Sequence, residues 1–282
     1  MAATPPKGQL TLQVAPPVPS PSTHTTLLGL SIPVFAPTTL PPVTVAAALA
    51  CRPFQDWASA LDPRYSIASI TLQSVDFFGP RVGFVKFIAD ASWCGQRVPG
   101  IVFLRGGAVS VLPLLVCSGE RWVVCARQPR LAVGSGSFLE LPAGMLDDCG
   151  SFVGVAAKEL VEETGIVIDP SELMDLTALA LGTGGDCGAS GGEGVGARRG
   201  LYLSVGACDE FLRLFFFQRT VGKEELDALR GKLTGSPDEN EQITLELVRY
   251  EDLWKATVDA KTLASVFLLE KLIKMGKITL FE

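Results

Sequence analysis

The chain has 282 residues, 48% hydrophobic and 19% charged, which supplies enough apolar material for a buried core and excludes global disorder. A formal net charge of −6 argues against a surface devoted to nucleic-acid phosphates, yet leaves room for a phosphate substrate whose sign a bound dication would reverse locally. The 7 cysteines include no CxxC pair, which suits a reducing compartment better than a disulfide framework or zinc site, and the 1 histidine, His24, is a poor basis for any histidine-assisted nucleophile.

Residues 1–25, rich in Pro, Thr and Ser, read as a flexible leader. No acid precedes Asp56, but arginine is scarce there, so the cytoplasm is the expected location, with a plastid or another organelle as the alternative. No apolar run approaches the ~20 residues that cross a bilayer. Around 43–61 a helix is expected, interrupted by Pro53. Strands follow at 66–78 and 81–90, separated by a Gly-Pro turn, then at 98–106, 108–117, 121–128 and, shorter, 138–144. A helix is expected at about 152–164 and a strand over 173–181. The run 184–200 is a glycine-rich insertion; it lacks the strand-then-helix context of a dinucleotide cradle and reads as a surface loop. One or two strands within 201–219, a helix at EELDALRGKL, a strand at 243–250 and an amphipathic helix over 259–276 complete the chain. Strands with interspersed helices, lacking regular alternation, imply an α/β or α+β sandwich.

The stretch LPAGMLDDCGSFVGVAAKELVEETGI (141–166) carries the chemistry. On a helix, Glu159, Glu162 and Glu163 fall within one ~100° arc. Two carboxylates held ~4 Å apart repel by roughly 4 kcal/mol at an effective dielectric near 20. They either splay into water as a solvated face or hold a hard dication such as Mg²⁺. Gly165 suits the left-handed position that ends such a helix.

The surrounding spacing resembles the Nudix box: Gly, five residues, Glu, seven residues, then Arg-Glu-apolar-any-Glu-Glu-any-Gly-apolar. Gly144, Glu159, Leu160, Glu162, Glu163, Gly165 and Ile166 match; Gly150 stands at the first glutamate and Lys158 at the arginine. Runs such as QSVDFFGPRVGFVKFIAD and CDEFLRLFF extend the resemblance to plant-type ADP-sugar diphosphatases of that superfamily, over roughly 45–275. The resemblance implies a Nudix α/β/α sandwich with a small N-terminal β domain. The boundaries expected are a leader at 1–25, an N-terminal helix plus β domain at 26–105, and the hydrolase domain at 106–282.

By the same resemblance, Glu159, Glu162 and Glu163 would hold Mg²⁺, with Mn²⁺ as the alternative, joined by the Ala143 carbonyl. Glu162, Glu241 and Glu159 would carry catalysis, Glu241 as base or metal ligand with Glu239 beside it. Arg130, Glu140, Ser204 and Gly206 would bind substrate, although Val205 replaces the proline of the family's Ser-Pro-Gly loop. Lys158 keeps its charge but loses the planar fork of arginine. Asp147 or Asp148 could stand in for the carboxylate missing at Gly150, or serve as turn and capping residues. The implied reaction splits ADP-ribose or ADP-glucose into AMP and a sugar phosphate in a homodimer, with no nucleic-acid or membrane partner. The alternatives are a nucleotide-sugar binding module that does not cleave, and a hydrolase of another nucleoside diphosphate derivative.

Overall fold

The structure, a computed structural model, describes residues 22–146, 151–182, 200–235 and 241–282. Contacts divide them into two units: one holds the described residues up to Ala50 with Asp62–Ile101, the other Cys51–Leu61 with Val102–Glu282.

In the first unit, β1 (Thr23–Leu27) and β2 (Leu30–Phe35) form a hairpin. Its two turn residues, Leu28 and Gly29, both have positive φ, 51° and 78°, the turn whose twist matches that of paired strands. Strand β1 thus includes residues 23–25, which the sequence pattern placed in the flexible leader. The helix expected over 43–61 is two: α1 (Pro42–Ala50) and α2 (Arg52–Ala60). Cys51 is extended (φ −65°, ψ 149°), and Pro53 sits in the first turn of α2, where its missing N–H costs no helical bond. Strand β3 (Tyr65–Phe78) runs parallel to β2 and antiparallel to β4 (Arg81–Trp93), which pairs with β5 (Gln96–Val98). Ile32, Val34, Ile70, Leu72 and Phe87 are buried, as are Val45 and Ala48 of α1. Helix α2 belongs to the second unit, although the sequence boundary at 105/106 had grouped it with the β domain.

After β6 (Ile101–Leu104), the second unit is built on β7 (Gly107–Cys117), every residue of which is buried. Strands β8 (Glu120–Arg130), β9 (Ser135–Glu140) and β10 (Ala143–Met145) follow. The single strand expected over 138–144 is therefore two, broken at Leu141–Pro142, with β9 on β8 and β10 on β7. Helix α3 is Phe152–Thr164. The strand expected over 173–181 survives only as β11 (Met174–Asp175). Asp175 accepts a hydrogen bond from Ala178 N–H (2.8 Å), which caps α4 (Leu176–Leu181) and wins over the apolar alternation. The chain continues through β12 (Leu201–Tyr202), β13 (Phe211–Thr220), α5 (Lys223–Leu229), β14 (Leu233–Thr234), β15 (Ile243–Arg249), α6 (Leu253–Ala256) and α7 (Ala260–Lys274).

The main path of the sheet is β11-β13-β7-β8-β15-β14, with β13 parallel to β7 and the other neighbours antiparallel. Alternation along the strands sends side chains to two cores. Val109, Val111, Phe215 and Phe217 pack with Val155 and Leu160 of α3 and Leu226 of α5. Leu112, Leu114, Leu214 and Phe216 pack with Leu176 of α4 and Leu269 and Leu272 of α7. The sheet is thus covered by helices on both faces, the α/β/α sandwich expected. Among the described residues no helix is long and apolar enough to cross a membrane.

Candidate active site

Helix α3 is set by its ends and its apolar face. The Ser151 side chain accepts from Gly154 N–H (3.0 Å) at the N-cap, and Gly165, at φ 75°, closes the C-terminus with its N–H on Val161 O (2.8 Å). With Val155, Ala156 and Leu160 against the sheet, Glu159 and Glu163, four residues apart, share one side of the helix.

That side meets β10. Pro142 O accepts from both Ser110 Oγ (3.0 Å) and Val111 N–H (3.0 Å), which ties the start of β10 to β7. Glu159 then lies directly over Gly144: a Cβ on that glycine would stand 1.9 Å from the Glu159 carboxyl carbon. A side chain at 144 would force the Glu159 carboxyl to move, so the box glycine leaves the space that the box glutamate fills. Glu163 is 2% exposed and accepts from Ala143 N–H at 3.2 Å. Thr234 Oγ donates to Glu163 O (2.5 Å), which fastens the last turn of α3 to β14.

The Glu163 carboxyl is pushed well above the ordinary carboxylate range, first by burial and next by the charge of Glu159. The Ala143 N–H opposes this, while Glu241 and Glu140 add smaller contributions to it. Four glutamates therefore act on one locus: Glu159, Glu163, Glu241 and Glu140. Glu162, 45% exposed, instead pairs with Lys158 at 3.5 Å. Among the described residues no three carboxylate, histidine or cysteine side chains form a ready metal cluster. The donor set nevertheless suits a hard dication: the oxygens are carboxylates, and the buried Glu163 keeps its charge only beside a positive partner.

Arg130 and Glu140 come together as a pair. Glu140, 4% exposed, accepts from Arg130 Nε (2.6 Å) and, on its other oxygen, from Lys261 Nζ. Lys261, on α7, is also 3.1 Å from Asp259. Glu140 is thus a tether that aims the half-exposed Arg130 and bonds to α7. Sequence reading missed Lys261: it lies 121 residues from Glu140, and a lysine on an amphipathic helix carries no local signal.

Ser204 and Gly206 lie on an exposed turn, where Ser204 O accepts from Ala207 N–H (3.3 Å) and Cys208 N–H (3.0 Å). Among the described residues no hydrogen bond joins either to the glutamates. The segment is anchored by Asp209, whose carboxylate accepts from Arg105 N–H (2.7 Å) and Gly106 N–H (3.1 Å). Asp147, Asp148, Gly150 and Glu239 lie outside the described residues, as does the insertion at 184–200 except for Gly200.

No family model matches the chain. Over 221 residues it is 41% identical to Nudix hydrolase 14, chloroplastic, of Arabidopsis thaliana, covering 77% of this chain and 67% of that one. A crystal structure of an ADP compounds hydrolase superposes with a TM-score of 0.50 at 15% identity, covering 76% of this chain and 97% of the other, which speaks for the fold alone. The box spacing, the sandwich that sets Glu159 over Gly144, and an identity of 41% over that length agree: the chain belongs to the Nudix hydrolase family.

Proposed function

We propose that the protein hydrolyses the diphosphate of an ADP-sugar, ADP-ribose or ADP-glucose, to AMP and the sugar phosphate. The observation that carries this reading is the crowding of Glu159 and Glu163 against Ala143–Gly144, with the charges of Glu241 and Glu140 acting on the same buried carboxyl. Such a site favours a dication, and the dication in turn recruits a diphosphate. Glu159, Glu163 and Glu241 would hold Mg²⁺, or Mn²⁺ in its place. When bound, the metal would neutralise the diphosphate and lower the pKa of an attacking water. Arg130, held through Nε by Glu140, keeps its terminal nitrogens for two phosphate oxygens. The Nudix relative supports hydrolase chemistry, and its chloroplastic location favours a plastid over the cytoplasm.

One observation favours a second reading, a module that binds a nucleotide sugar without cleaving it: Glu162 is paired with Lys158 and does not join the buried carboxylates. Incubating the purified protein with ADP-ribose and ADP-glucose plus Mg²⁺ separates the two. Release of AMP is expected; measurable binding with no AMP over long incubation would leave the second reading standing alone.

A further inference from the structure

A pocket of about 220 Å³ opens in the hydrolase unit between α2, the turn at Gly106 and the segment 202–211. Its walls include the rings of Trp57, Tyr202 and Phe211 and the carboxylates of Asp56 and Asp209; among the described residues no lysine or arginine lines it. Each ring at its edge is backed by another. Trp57 leans on Phe54, fully buried, at 5.6 Å between centroids, and Tyr202 on Phe211 at 6.1 Å. Phe211 has its place because Gly107 has no side chain: a Cβ there would stand 2.5 Å from the ring. Asp209 holds the floor through the Arg105 and Gly106 amides, and Pro53 of α2 lies against Gly106, 3.2 Å from where a Cβ would be. Asp56, in contact with Arg52 at 3.8 Å, is 37% exposed at the side chain.

These features select an occupant. The volume lies below the ~300–1,000 Å³ of pockets that take a whole drug-sized ligand, and it suits one planar ring system. Two carboxylates in the walls disfavour phosphate there. They accept hydrogen bonds from an amine and oppose a carbonyl oxygen. The pocket also lies at the start of β7, the strand on which β10 and Gly144 pair. Gly106 precedes β7, and Val109 on β7 is the register partner of Gly144, beneath Glu159. Three residues of extended chain cover about 10 Å, room for a ribose and its first phosphate.

We propose that this pocket receives the nucleobase of the substrate, stacked on Trp57 and Tyr202, with Asp56 accepting from an exocyclic amine. Adenine carries that amine, whereas uracil presents a carbonyl oxygen at the corresponding edge. The proposal rests on the ADP-sugar reading and deepens it: Asp56 is a specificity-determining residue, placed by a helix outside the Nudix box.

The test is calorimetric titration of the full-length, metal-free protein with AMP and with UMP, which does not depend on turnover. AMP is expected to bind at least ~10-fold more tightly than UMP. Trp57→Ala should weaken AMP about 10-fold, as loss of one base–aromatic stack does, and Trp57→Phe should restore most of it. Asp56→Asn should narrow the preference for AMP over UMP, since an amide donates to a carbonyl. Should Trp57→Ala fail to fold by melting curve, Asp56→Asn and Tyr202→Phe decide instead, the latter keeping AMP affinity. AMP release from ADP-sugars with unchanged AMP affinity in Trp57→Ala and Asp56→Asn would overturn the pocket and spare the function. Tryptophan-dependent AMP binding without any AMP release would overturn the hydrolase reading and spare the pocket. A wild-type protein that binds neither nucleotide overturns the pocket outright.

Discussion

Glu140, at the end of β9, and Glu163, in the last turn of α3, are almost equally buried, 4% and 2% exposed, yet their surroundings are opposite. Glu140 lies between Arg130 and Lys261, so its charge is answered within the chain. Glu163 has one backbone N–H and the fields of three other glutamates. A buried charge costs several kcal/mol unless it is paired. The first carboxylate is therefore part of the framework, and the second is the one that, on the proposed reading, a dication completes. The contrast separates what holds the site from what uses it.

The largest expected effect comes from unbalancing Glu140. Lys261→Met removes the ammonium while keeping an apolar stem among buried neighbours, and breaking one partner of a buried pair costs about 3 kcal/mol. For a chain of this length that lowers the melting temperature by roughly 10 °C. Glu140→Gln combined with Lys261→Met should recover most of the loss, because the buried charge left with Arg130 alone is then gone. A single variant that melts with the wild type would show that Glu140 does not need Lys261, and the contrast with Glu163 would fail.

Glu163 should respond to pH and to metal. Its folded pKa is raised above the unfolded value, so its contribution to stability is fully present below the unfolded carboxyl range. That contribution is lost as pH rises through the folded pKa. Metal-free protein should accordingly lose melting temperature across that window, and Glu163→Gln, which cannot ionise, should remove this part of the slope. At neutral pH, Mg²⁺ should raise the melting temperature of the wild type by several degrees and that of Glu163→Gln by much less. Differential scanning calorimetry at several pH values, with and without Mg²⁺, checks both halves. A wild type indifferent to Mg²⁺ would place the dication elsewhere.

This division also explains what the sequence could tell. The α3 helix was legible because its apolar face and closing glycine lie within 152–165, and the glutamate spacing belongs to the same local object; the cap at Ser151 was not read, the sequence having offered Asp147 or Asp148. The all-buried β7 and the Phe-rich β13 were legible as strands because both sandwich faces demand apolar residues. Leu173–Leu181 misled because its apolar spacing suits a strand or a short helix, and the cap by Asp175 decides only once Ala178 N–H is in reach. Lys261 was invisible because its meaning depends on a contact across most of the hydrolase unit. The pairing of Lys158 with Glu162 follows from i,i+4 geometry, but spacing alone could not say that Glu162 would turn to it and away from Glu163.

The smallest expected effect is at that pair. Both side chains are more than one-third exposed, 56% for Lys158 and 45% for Glu162, so Lys158→Ala should change stability by no more than about 0.5 kcal/mol. Its consequence is for the metal. If the lysine holds Glu162 away from the dication, removing it releases a fourth carboxylate, and the Mg²⁺ midpoint for AMP release should fall about 2-fold, the equivalent of one exposed helix pair. Lys158→Arg keeps the charge at the same spacing and should leave the midpoint near that of the wild type. A fall in Lys158→Ala alone makes the pair a restraint on Glu162 that metal binding must overcome. A higher midpoint in Lys158→Ala reverses the assignment: the lysine would then be orienting Glu162 for the metal, and the side of α3 occupied by Glu162 would join Glu163 as part of the site that uses the charge.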